Sequence, residues 1–409
     1  METDAVILGG GIAGLQSAYR LSKLGMRSVI VEKAPFLGGH TARFACKATD
    51  RCRLCGACAL EDVLRKTRSA DSVKPFVRTA VQRVDDENGR FALTLLRKPP
   101  RIIPEKCGQC GECEKVCPVD GALARSPLNN ELYIDEDKCL FFKDASCRAC
   151  MEVCPDAAVN LEEEPDTLEL NASAMIVATG FKPFDPELKP RFGYGLVPGV
   201  VSALEMDAML RSDTWFPGEG DAEARSAAFI QCVGSRDPKI GRNYCSRVCC
   251  GYAVRMARLM KHRFPSLRPT MFYMDIQNFE RAFDKSLEEA AEEVRLIRSI
   301  PAEVRKGEDG RPELIYHGPG DERVIESFDL VILSIGITPA SPEISTDLGV
   351  TKDGFCGTDG ENVTTRKRGV FVAGTVQAPR SIEETIAHAV AAAGKAASYV
   401  KEMKNGGSL

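Results

Sequence analysis

The fold is indicated most strongly by residues 5–14, which read Ala-Val-Ile-Leu-Gly-Gly-Gly-Ile-Ala-Gly. The four apolar residues predict a buried β-strand, and the glycines have the Gly-x-Gly-x-x-Gly spacing of a turn that leads into a helix. Residues 15–24 then place apolar side chains at a helical period, and residues 28–31 predict a second strand that ends at Glu32. This order of strand, turn, helix, strand and acid predicts a dinucleotide-binding fold.

A dinucleotide at this turn would contact the glycines through its pyrophosphate and Glu32 through its ribose. Glycine permits the close approach of the backbone, and the helix N-terminus attracts the negative charge. A turn that only packs a helix on a sheet is the alternative for such a motif, but here the strand, the helix and the acid accompany it. We expect contacts from Gly9, Gly11, Ile12, Ala13, Gly14, Glu32, Lys33 and Gly39.

Two later segments resemble flavoproteins with two dinucleotide-binding domains, the thioredoxin-reductase-like class. Residues 177–180, Val-Ala-Thr-Gly, resemble the strand that returns the chain beneath the flavin. Residues 369–374, Gly-Val-Phe-Val-Ala-Gly, resemble the C-terminal strand that closes the FAD site, although Thr375 stands where the class often has an aspartate. The resemblance implies FAD as the dinucleotide. It adds expected contacts from Ala178, Thr179, Gly180, Gly374, Thr375 and Ile382.

The last helix and the second domain carry further signals about the cofactor. Ser381 and Glu384 have the spacing of a capping box, which predicts a helix over 381–401. If this helix points at the N1–C2 edge of a flavin, its dipole favours an anionic hydroquinone.

The partner domain of such flavoproteins usually binds NAD(P)H through its own glycine motif. Residues 229–236, Phe-Ile-Gln-Cys-Val-Gly-Ser-Arg, take that place with a cysteine, which disfavours direct nicotinamide binding.

Composition limits the class of protein. The chain has 409 residues, a net charge of −4 and 17 cysteines. Its length predicts two or three domains, and its acidic balance gives no sign of a nucleic-acid or anionic-membrane partner. No secretory signal and no membrane-spanning stretch is visible, so we expect a cytoplasmic protein without a direct membrane span. Cytosolic thiols are normally reduced, which favours metal ligation over disulfides.

Eight cysteines form two copies of the bacterial ferredoxin run. Residues 107–118 read C-x2-C-x2-C-x3-C-P, and residues 139–155 repeat the pattern with a longer first gap. In two-cluster ferredoxins the fourth cysteine of each run ligates the other cluster, and the two Cys-Pro endings make zinc the weaker alternative. We therefore expect one 4Fe–4S cluster at Cys107, Cys110, Cys113 and Cys154, and a second at Cys139, Cys147, Cys150 and Cys117.

Two further sets of four cysteines have less standard spacings. Residues 46–58 contain C-x5-C-x2-C-x2-C, which suits a cluster, with zinc or a redox-active pair as alternatives. Residues 232–250 contain C-x12-C-x3-C-C, for which a catalytic dithiol is the alternative. The expected ligands are Cys46, Cys52, Cys55 and Cys58 for a third cluster, and Cys232, Cys245, Cys249 and Cys250 for a fourth. Cys356 then remains as a small buried or loop residue.

No catalytic side chain is expected, because the FAD itself is the redox centre. Clusters carry one electron at a time, whereas a flavin takes two and can release them singly. Among the four histidines, His40 and His388 could approach the flavin by their positions in the sequence. We expect structural roles for both, and surface positions for His262 and His317.

The chain divides where its composition changes. Cysteine, proline and short acidic stretches dominate residues 98–165, which predicts a two-cluster ferredoxin domain of the α+β type inserted into an α/β, thioredoxin-reductase-like flavoprotein. In the second α/β domain, periodicity predicts helices over 252–261 and 285–298. The expected domains are a FAD-binding domain from residues 1–97, 166–205 and 341–409, the insert at 98–165, and the second domain at 206–340.

The motifs around the fourth cysteine set resemble those of the heterodisulfide reductase family, in its FAD-carrying component. Residues 231–237, Gln-Cys-Val-Gly-Ser-Arg-Asp, and residues 244–250, Tyr-Cys-Ser-Arg-Val-Cys-Cys, carry the resemblance together with residues 377–380, Gln-Ala-Pro-Arg. With the glycine motifs and the ferredoxin insert, it covers nearly the whole chain. The family comprises cytoplasmic FAD and iron–sulfur subunits. The methanogen type is longer, which indicates a bacterial relative, such as the corresponding component of a class II benzoyl-CoA reductase complex.

The resemblance implies an oxidoreductase component that transfers electrons between partners, with flavin-based bifurcation or confurcation at the FAD. Expected partners are proteins like the other two components of heterodisulfide reductase, which are its B and C subunits, a donor of the ferredoxin or hydrogenase type, and a terminal reductase. They would form a hetero-oligomer, with a dimer of protomers as an option. Two alternatives stay open: an NAD(P)H-dependent reductase similar to the small subunit of glutamate synthase, and a non-catalytic electron conduit. The missing second glycine motif weighs against the former, and the intact first one against a conduit without flavin.

Overall fold

The N-terminal part of the chain forms most of one sheet with two covering helices. The computed structural model describes residues 1–87, 89–212, 224–277, 279, 283–340, 348–360 and 362–406. The first elements are, in chain order, β1 (Glu2–Leu8), α1 (Ile12–Lys23), β2 (Ser28–Val31), α2 (Ala59–Arg68), β3 (Val73–Phe76), β4 (Thr79–Glu87) and β5 (Arg90–Arg97). Strand β1 is buried along Thr3–Leu8, as expected for a parallel strand covered on both faces.

The segment that follows β5 has its own small core. Ile102, Leu132, Val159 and Leu161 are buried together with two of the ferredoxin cysteines. Its elements are α3 (Glu112–Val116), β6 (Leu123–Arg125), β7 (Leu132–Ile134), α4 (Leu140–Asp144) and α5 (Ala149–Glu152). The chain then returns to the first sheet through β8 (Asp166–Val177) and leaves it through β9 (Phe181–Pro183).

The next part of the chain forms a second parallel sheet and a small antiparallel one. Its elements are β10 (Val200–Ser202), α6 (Ala203–Ser212), β11 (Ser226–Val233), α7 (Cys249–Arg263), β12 (Arg268–Phe272), α8 (Phe283–Ala291), β13 (Arg295–Ile297), β14 (Glu303–Lys306), β15 (Pro312–His317), β16 (Arg323–Ser327), β17 (Leu330–Ile335) and β18 (Ile337–Pro339). The first sheet is completed by β19 (Val370–Val372), and the described chain ends in α9 (Ile382–Gly406).

The strand order shows how the two halves are built. The first sheet runs β3-β2-β1-β8-β5-β4, with β19 also paired to β8, and only the β4–β5 and β5–β8 pairs are antiparallel. The second sheet runs β10-β17-β11-β12-β13 and is parallel throughout. Strands β9 and β18 pair with each other where the chain passes between the sheets. The carboxyl ends of β1 and β8 therefore lie side by side, which is where such folds bind ligands.

Three details differ from the sequence-based expectations. Strand β10 pairs with the second sheet, so that sheet begins before the expected domain boundary at residue 206. The helix predicted over 285–298 is wrong in its second half, because β13 pairs with β12 in the sheet. Helix α7 begins at Cys249 rather than at residue 252, which places two cysteines in its first turn. Within the described part of the chain, no helix has the length and apolar character to cross a membrane.

Candidate functional site

The turn between β1 and α1 opens onto a cavity of about 400 Å³. Its walls come from both sheets, because α6, α7 and the end of β17 contribute Asp207, Tyr252 and Ile335. Such volume, with a mostly apolar lining and a few polar groups, is typical of a cofactor pocket. Of the residues expected to contact FAD, those that line the cavity are Gly9, Gly11, Ile12, Ala13, Glu32, Gly39, Ala178, Thr179, Gly180, Thr375 and Ile382.

The glycines of the turn have different structural roles. A Cβ atom on Gly9 would lie 2.4 Å from the carbonyl oxygen of Ala178, and its φ of +106° also favours glycine. A Cβ atom on Gly14 would lie 1.9 Å from the carbonyl oxygen of Gly9, so Gly14 allows the helix to pack against the turn. A Cβ atom on Gly11 would have the Cα of Gly39, 4.0 Å away, as its nearest neighbour, so this position is open toward the cavity. The free N–H groups at the start of α1 make this opening suitable for phosphate.

Glu32 is held by the backbone at the edge of the cavity. Its Oε2 accepts a hydrogen bond from the N–H of Gly10 at 2.6 Å, and its Oε1 accepts one from the N–H of Ala34 at 2.7 Å. Burial raises the pKa of this carboxyl, and the two backbone hydrogen bonds oppose that rise. The carboxylate is therefore fixed in orientation, with remaining lone pairs for the hydroxyls of a ribose.

Three of the expected contacts do not line the cavity. Lys33 is exposed, and Gly14 is packed against the turn. Gly374 lies behind the wall, where a Cβ atom would come within 2.8 Å of the Cβ of Ala13. Gly14 and Gly374 shape the backbone around the cavity, and Lys33 faces solvent. The geometry therefore does not support a direct contact between any of these three residues and a bound FAD.

The N-terminus of α9 forms a further part of the cavity wall. The capping box is confirmed, since the N–H of Ser381 donates to Glu384 Oε2 at 2.9 Å and the N–H of Glu384 donates to Ser381 Oγ at 3.2 Å. Ser381, Ile382 and Thr385 line the cavity beside Arg380, whose Nη1 donates to the carbonyl oxygen of Gly374 at 3.0 Å. Burial lowers the pKa of Arg380. The cavity thus has a helix N-terminus and a half-buried guanidinium in its wall, which together favour negative charge.

Two histidines support the cavity through backbone hydrogen bonds. His40 stacks on Phe181 with ring centroids 4.4 Å apart, and its Nε2 lies 3.0 Å from the carbonyl oxygen of Phe181. His388 Nδ1 accepts from the N–H of Gly374 at 2.9 Å, while its Nε2 lies 2.8 Å from the carbonyl oxygen of Asn362. Burial lowers the pKa of both imidazoles. Both therefore hold neighbouring backbone in place as neutral rings.

A buried ion pair crosses from one half of the molecule to the other at the cavity wall. Lys47 Nζ lies 2.5 Å from Asp207 Oδ1, and the two side chains are 5% and 8% exposed. The N–H of Ala45 also donates to Asp207 Oδ1 at 3.0 Å. Burial raises the pKa of Asp207, and Lys47 opposes that rise. The pair joins the cysteine-rich loop of the first sheet to α6 of the second, directly beside the space for the cofactor.

The eight ferredoxin cysteines surround two small cavities. One is lined by Cys107, Cys110, Cys113 and Cys154, and the other by Cys117, Cys139, Cys147 and Cys150. These are the two crossed groups expected from the sequence. Burial raises the pKa of Cys150 to about 11. Thiols in such surroundings become strong ligands only when a metal replaces their protons.

The four cysteines Cys232, Cys245, Cys249 and Cys250 form what we call the α7 set. Burial, together with the neighbouring Cys250 and Cys245, raises the pKa of the Cys232 thiol to about 12. The pKa of Cys249 is also raised well above its ordinary value by burial and then by Cys232. The four thiols are thus near enough for their charges to interact, although 12 residues separate the first two in the sequence. Val248 and Tyr252, on either side of the adjacent cysteines, line the cofactor cavity.

The four cysteines Cys46, Cys52, Cys55 and Cys58, here called the loop set, are more exposed. Cys55 lines the cofactor cavity, whereas the other three are exposed to solvent. Leu54 between them is 62% exposed. Within the described residues, no three Cys, His, Asp or Glu side chains are arranged to hold a metal ion. Cys356, which belongs to no set, is buried, and burial raises its pKa to about 11.

The ferredoxin segment also reaches the cofactor cavity. Tyr133 on β7 lies against Phe36, a cavity residue, with ring centroids 5.9 Å apart. Arg211 at the end of α6 donates to the carbonyl oxygen of Pro127 in the ferredoxin segment and to that of Phe44, which is likewise at the cavity. The ferredoxin segment therefore contacts residues of the cavity wall, and Cys55 is the cysteine that lines the cavity among the described residues.

Sequence reasoning missed several residues of the cavity wall. For the pair of Lys47 and Asp207, the sequence gives only an indirect signal. Asp207 is an acidic residue among the apolar residues of the buried face of α6. Arg380 lies in the Gln-Ala-Pro-Arg segment, whose only signal is the family resemblance. Arg247 was also missed; its Nη2 donates to Glu384 Oε1 at 2.6 Å and so joins the loop before α7 to the capping box of α9.

Family profiles match two separate segments of the chain. The profile described as an NAD(P)-binding Rossmann-like domain matches residues 7–59. The profile described as a 4Fe–4S dicluster domain matches residues 99–155. The expected α/β fold with an inserted two-cluster ferredoxin domain is confirmed by these matches together with the sheet order.

Curated relatives match along almost the whole chain. The A component of H(2):CoB-CoM heterodisulfide,ferredoxin reductase from Methanothermobacter thermautotrophicus is 31% identical over 97% of this chain and 64% of its own length. The iron–sulfur A component of CoB–CoM heterodisulfide reductase from Methanocaldococcus jannaschii is 31% identical over 96% of this chain and 64% of its own length. The chain thus spans about 64% of the length of these relatives.

Solved structures show the same architecture at low sequence identity. Thioredoxin reductase from Lactococcus lactis superimposes with a TM-score of 0.57 at 16% identity, covering 98% of this chain and 99% of that one. Thioredoxin reductase from T. acidophilum gives 0.55 at 16% identity over the same shares. The thioredoxin-reductase-like fold is therefore confirmed.

Proposed function

We propose that this chain, which belongs to the family of heterodisulfide reductase A components, transfers electrons between partner subunits through one FAD and four 4Fe–4S clusters. The chain is an iron–sulfur flavoprotein and a component of an oxidoreductase. The number of clusters, their ligands and the partners are parts of the proposal. FAD would supply the exchange between electron pairs and single electrons, and clusters the single-electron steps.

The cavity at the first sheet fits the flavin cofactor. Gly9 and Gly11 leave room for the pyrophosphate at the N-terminus of α1, and Glu32 accepts from the ribose hydroxyls. Arg380 and the capped N-terminus of α9 favour negative charge on the ring system, because both are directed at the same cavity. The further contacts that we propose come from Ile12, Ala13, Gly39, Ala178, Thr179, Gly180, Thr375 and Ile382. Gly14, Lys33 and Gly374 are proposed only to shape or flank the site.

The cysteines fit four clusters in two pairs. The two cavities in the ferredoxin segment support crossed ligation, because each is lined by three cysteines of one run and the last cysteine of the other. The charges of the four thiols in the α7 set influence one another, and we propose this set as the third cluster site. The loop set is proposed as the fourth, with zinc and a redox-active pair as its alternatives.

One observation carries the proposal most directly: one cysteine of the loop set lines the cavity, and residues that flank two cysteines of the α7 set line it as well. Cys55 itself lines the cavity, and the first turn of α7 places Val248 and Tyr252 in the wall beside Cys249 and Cys250. Clusters at these positions would be neighbours of the flavin on two sides. Electrons that arrive singly from one partner can then be paired, or a pair can be divided between two branches.

The assembly that we propose follows from the relatives' names. Those relatives are components of heterodisulfide reductases, and we infer that this chain works with proteins like the B and C subunits, a ferredoxin or hydrogenase-type donor and a terminal reductase. Flavin-based bifurcation, a cytoplasmic location, a pairing of two protomers and a bacterial, benzoyl-CoA-reductase-type complex are further parts of the proposal. The domain boundaries are also part of the proposal. We place the start of the second domain near β10 rather than at residue 206, because β10 pairs with β17 of the second sheet.

An anaerobic reductive titration tests this function. One FAD and four clusters accept about six electrons per chain, two at the flavin and one at each cluster. We expect stepwise bleaching of the flavin and cluster absorbance over about that number of equivalents from a low-potential donor. We expect no reduction by NADH alone at a catalytic rate. Rapid reduction by NADH would instead support the NAD(P)H-dependent reductase, and a flavin-free native protein would support the pure conduit.

A further inference from the structure

Gln231 is a buried polar residue for which the proposed function gives no role. Its side chain is 1% exposed, and within the described residues neither Nε2 nor Oε1 has a hydrogen-bond partner. Buried amides are almost always paired, so an unpaired one in a native fold calls for a water molecule, an ion or another bound group as its partner. The amide of Gln231 therefore has hydrogen-bonding capacity for a group bound beside it.

The position of Gln231 in β11 identifies the region that its side chain faces. Gln231 follows Phe229 by two residues, the interval at which strand side chains share a face, and the register of β11 against β17 shifts just after Ile230. Phe229 belongs to the same apolar core as Cys250 and Ala253, which are in the first turns of α7. Gln231 is therefore buried near the end of β11, next to the core to which the first turns of α7 contribute.

The same region contains the thiols of the α7 set. Cys232 follows Gln231 directly and has a φ of +60°, which turns the chain at the end of the strand. Its thiol is close enough to Cys249 and Cys250 for their charges to interact. The backbone N–H of Arg247 already donates to Cys245 Sγ at 3.2 Å, so hydrogen bonding to sulfur occurs at this site.

We propose that the side-chain amide of Gln231 donates a hydrogen bond to a sulfur atom of the cluster at the α7 set and thereby raises the reduction potential of that cluster. The inference rests on the proposed function, which places a cluster there. Hydrogen bonds to the sulfurs are one of the factors that set such potentials. The reduced cluster carries more negative charge than the oxidised one, so a donor stabilises the reduced state more.

Redox titration of the holoprotein, followed by EPR, tests this role. The signal of the α7 cluster is assigned as the one that Cys245→Ala removes. Gln231→Met removes the donor while keeping an unbranched side chain, and Gln231→Leu does so with a branched one. We expect either variant to shift the one-electron equilibrium about fivefold toward the oxidised state, which at 59 mV per tenfold is roughly 40 mV lower.

Two controls separate hydrogen bonding from packing. Phe229→Leu alters the same face of β11 without removing a donor, and we expect it to leave the midpoint potential unchanged. The EPR signals of the ferredoxin clusters serve as an internal control in each variant. An unchanged α7 midpoint in both Gln231 variants, or an equal shift in Phe229→Leu, would overturn the inference. Absence of any Cys245-dependent cluster signal in the parent protein would instead contradict the proposed function.

Discussion

Replacing Lys47 with methionine is expected to lower the unfolding temperature of the holoprotein by roughly 3–6 °C. Lys47 and Asp207 form a pair that is 5% and 8% exposed, so loss of the cation leaves a carboxylate buried without its partner. Such a loss costs about 3–5 kcal/mol. An unfolding entropy of about 2.1 cal/mol/K per residue gives roughly 0.9 kcal/mol/K for 409 residues, which converts that cost into the stated shift.

A second variant distinguishes the ion pair from other effects of the substitution. When both partners are replaced by apolar residues, the desolvation cost disappears as well, and the change is often neutral. Leucine at position 207 also removes the acceptor of the Ala45 N–H, so the double variant Lys47→Met/Asp207→Leu is expected to unfold between the temperature of Lys47→Met and that of the parent. Arg65→Ala, which breaks an exposed pair with Asp62 on α2, is the matched control and should cause no measurable change.

The assay follows the release of flavin fluorescence during heating under anaerobic conditions at one fixed scan rate. A fixed rate is needed because unfolding of a large protein with several cofactors is not a simple equilibrium. Two results would refute the reasoning. One is a Lys47→Met variant that releases flavin at the parent temperature, and the other is a double variant that is no more stable than Lys47→Met alone.

Three further predictions concern the cofactor sites. Glu32→Gln removes a charged acceptor for the ribose and should weaken FAD binding to the apoprotein roughly 10- to 150-fold, measured by fluorescence titration; an unchanged affinity would contradict the assigned contact. Cys154→Ala and Cys117→Ala should each lower the bound iron by about four atoms per chain. Because each variant loses a different cluster, the remaining EPR signals should differ between them, and identical spectra would argue against crossed ligation. His388 accepts from the N–H of Gly374 and has a lowered pKa through burial, so the stability that its neutral ring provides is lost as pH falls below about 6.5. FAD release should therefore rise below that pH, and His388→Gln should flatten this dependence if the role is correct.

Local motifs allowed much of the site to be predicted from sequence. The glycines of the first turn are required by contacts within a few residues or with a neighbouring strand, so their spacing alone indicates the turn. The capping box at Ser381 and Glu384 is likewise contained in four residues. The ferredoxin runs specify their own small fold, because eight ligand positions within about fifty residues leave little freedom to the chain.

Features that depend on distant packing could not be predicted in this way. Lys47 and Asp207 are 160 residues apart, and they meet only because the two sheets close on one cavity. The acidic, alanine-rich segment at 285–298 favours a helix locally, yet its last part pairs with β12, where burial between strands outweighs helix propensity. Gly14 and Gly374 fit the expected motifs, but only the surrounding atoms show that these two glycines pack against neighbouring backbone and side chains and do not line the cavity.

The most direct measurement is the content of flavin, iron and acid-labile sulfide in anaerobically purified protein. One FAD with about sixteen iron and sixteen sulfide per chain, at about four of each per cluster, is the predicted result. It would show that the loop set and the α7 set hold clusters beside the flavin, as the residues around the cavity indicate. A content of about eight iron and eight sulfide per chain, with zinc or without FAD, would contradict the account, because only the ferredoxin segment would then carry clusters.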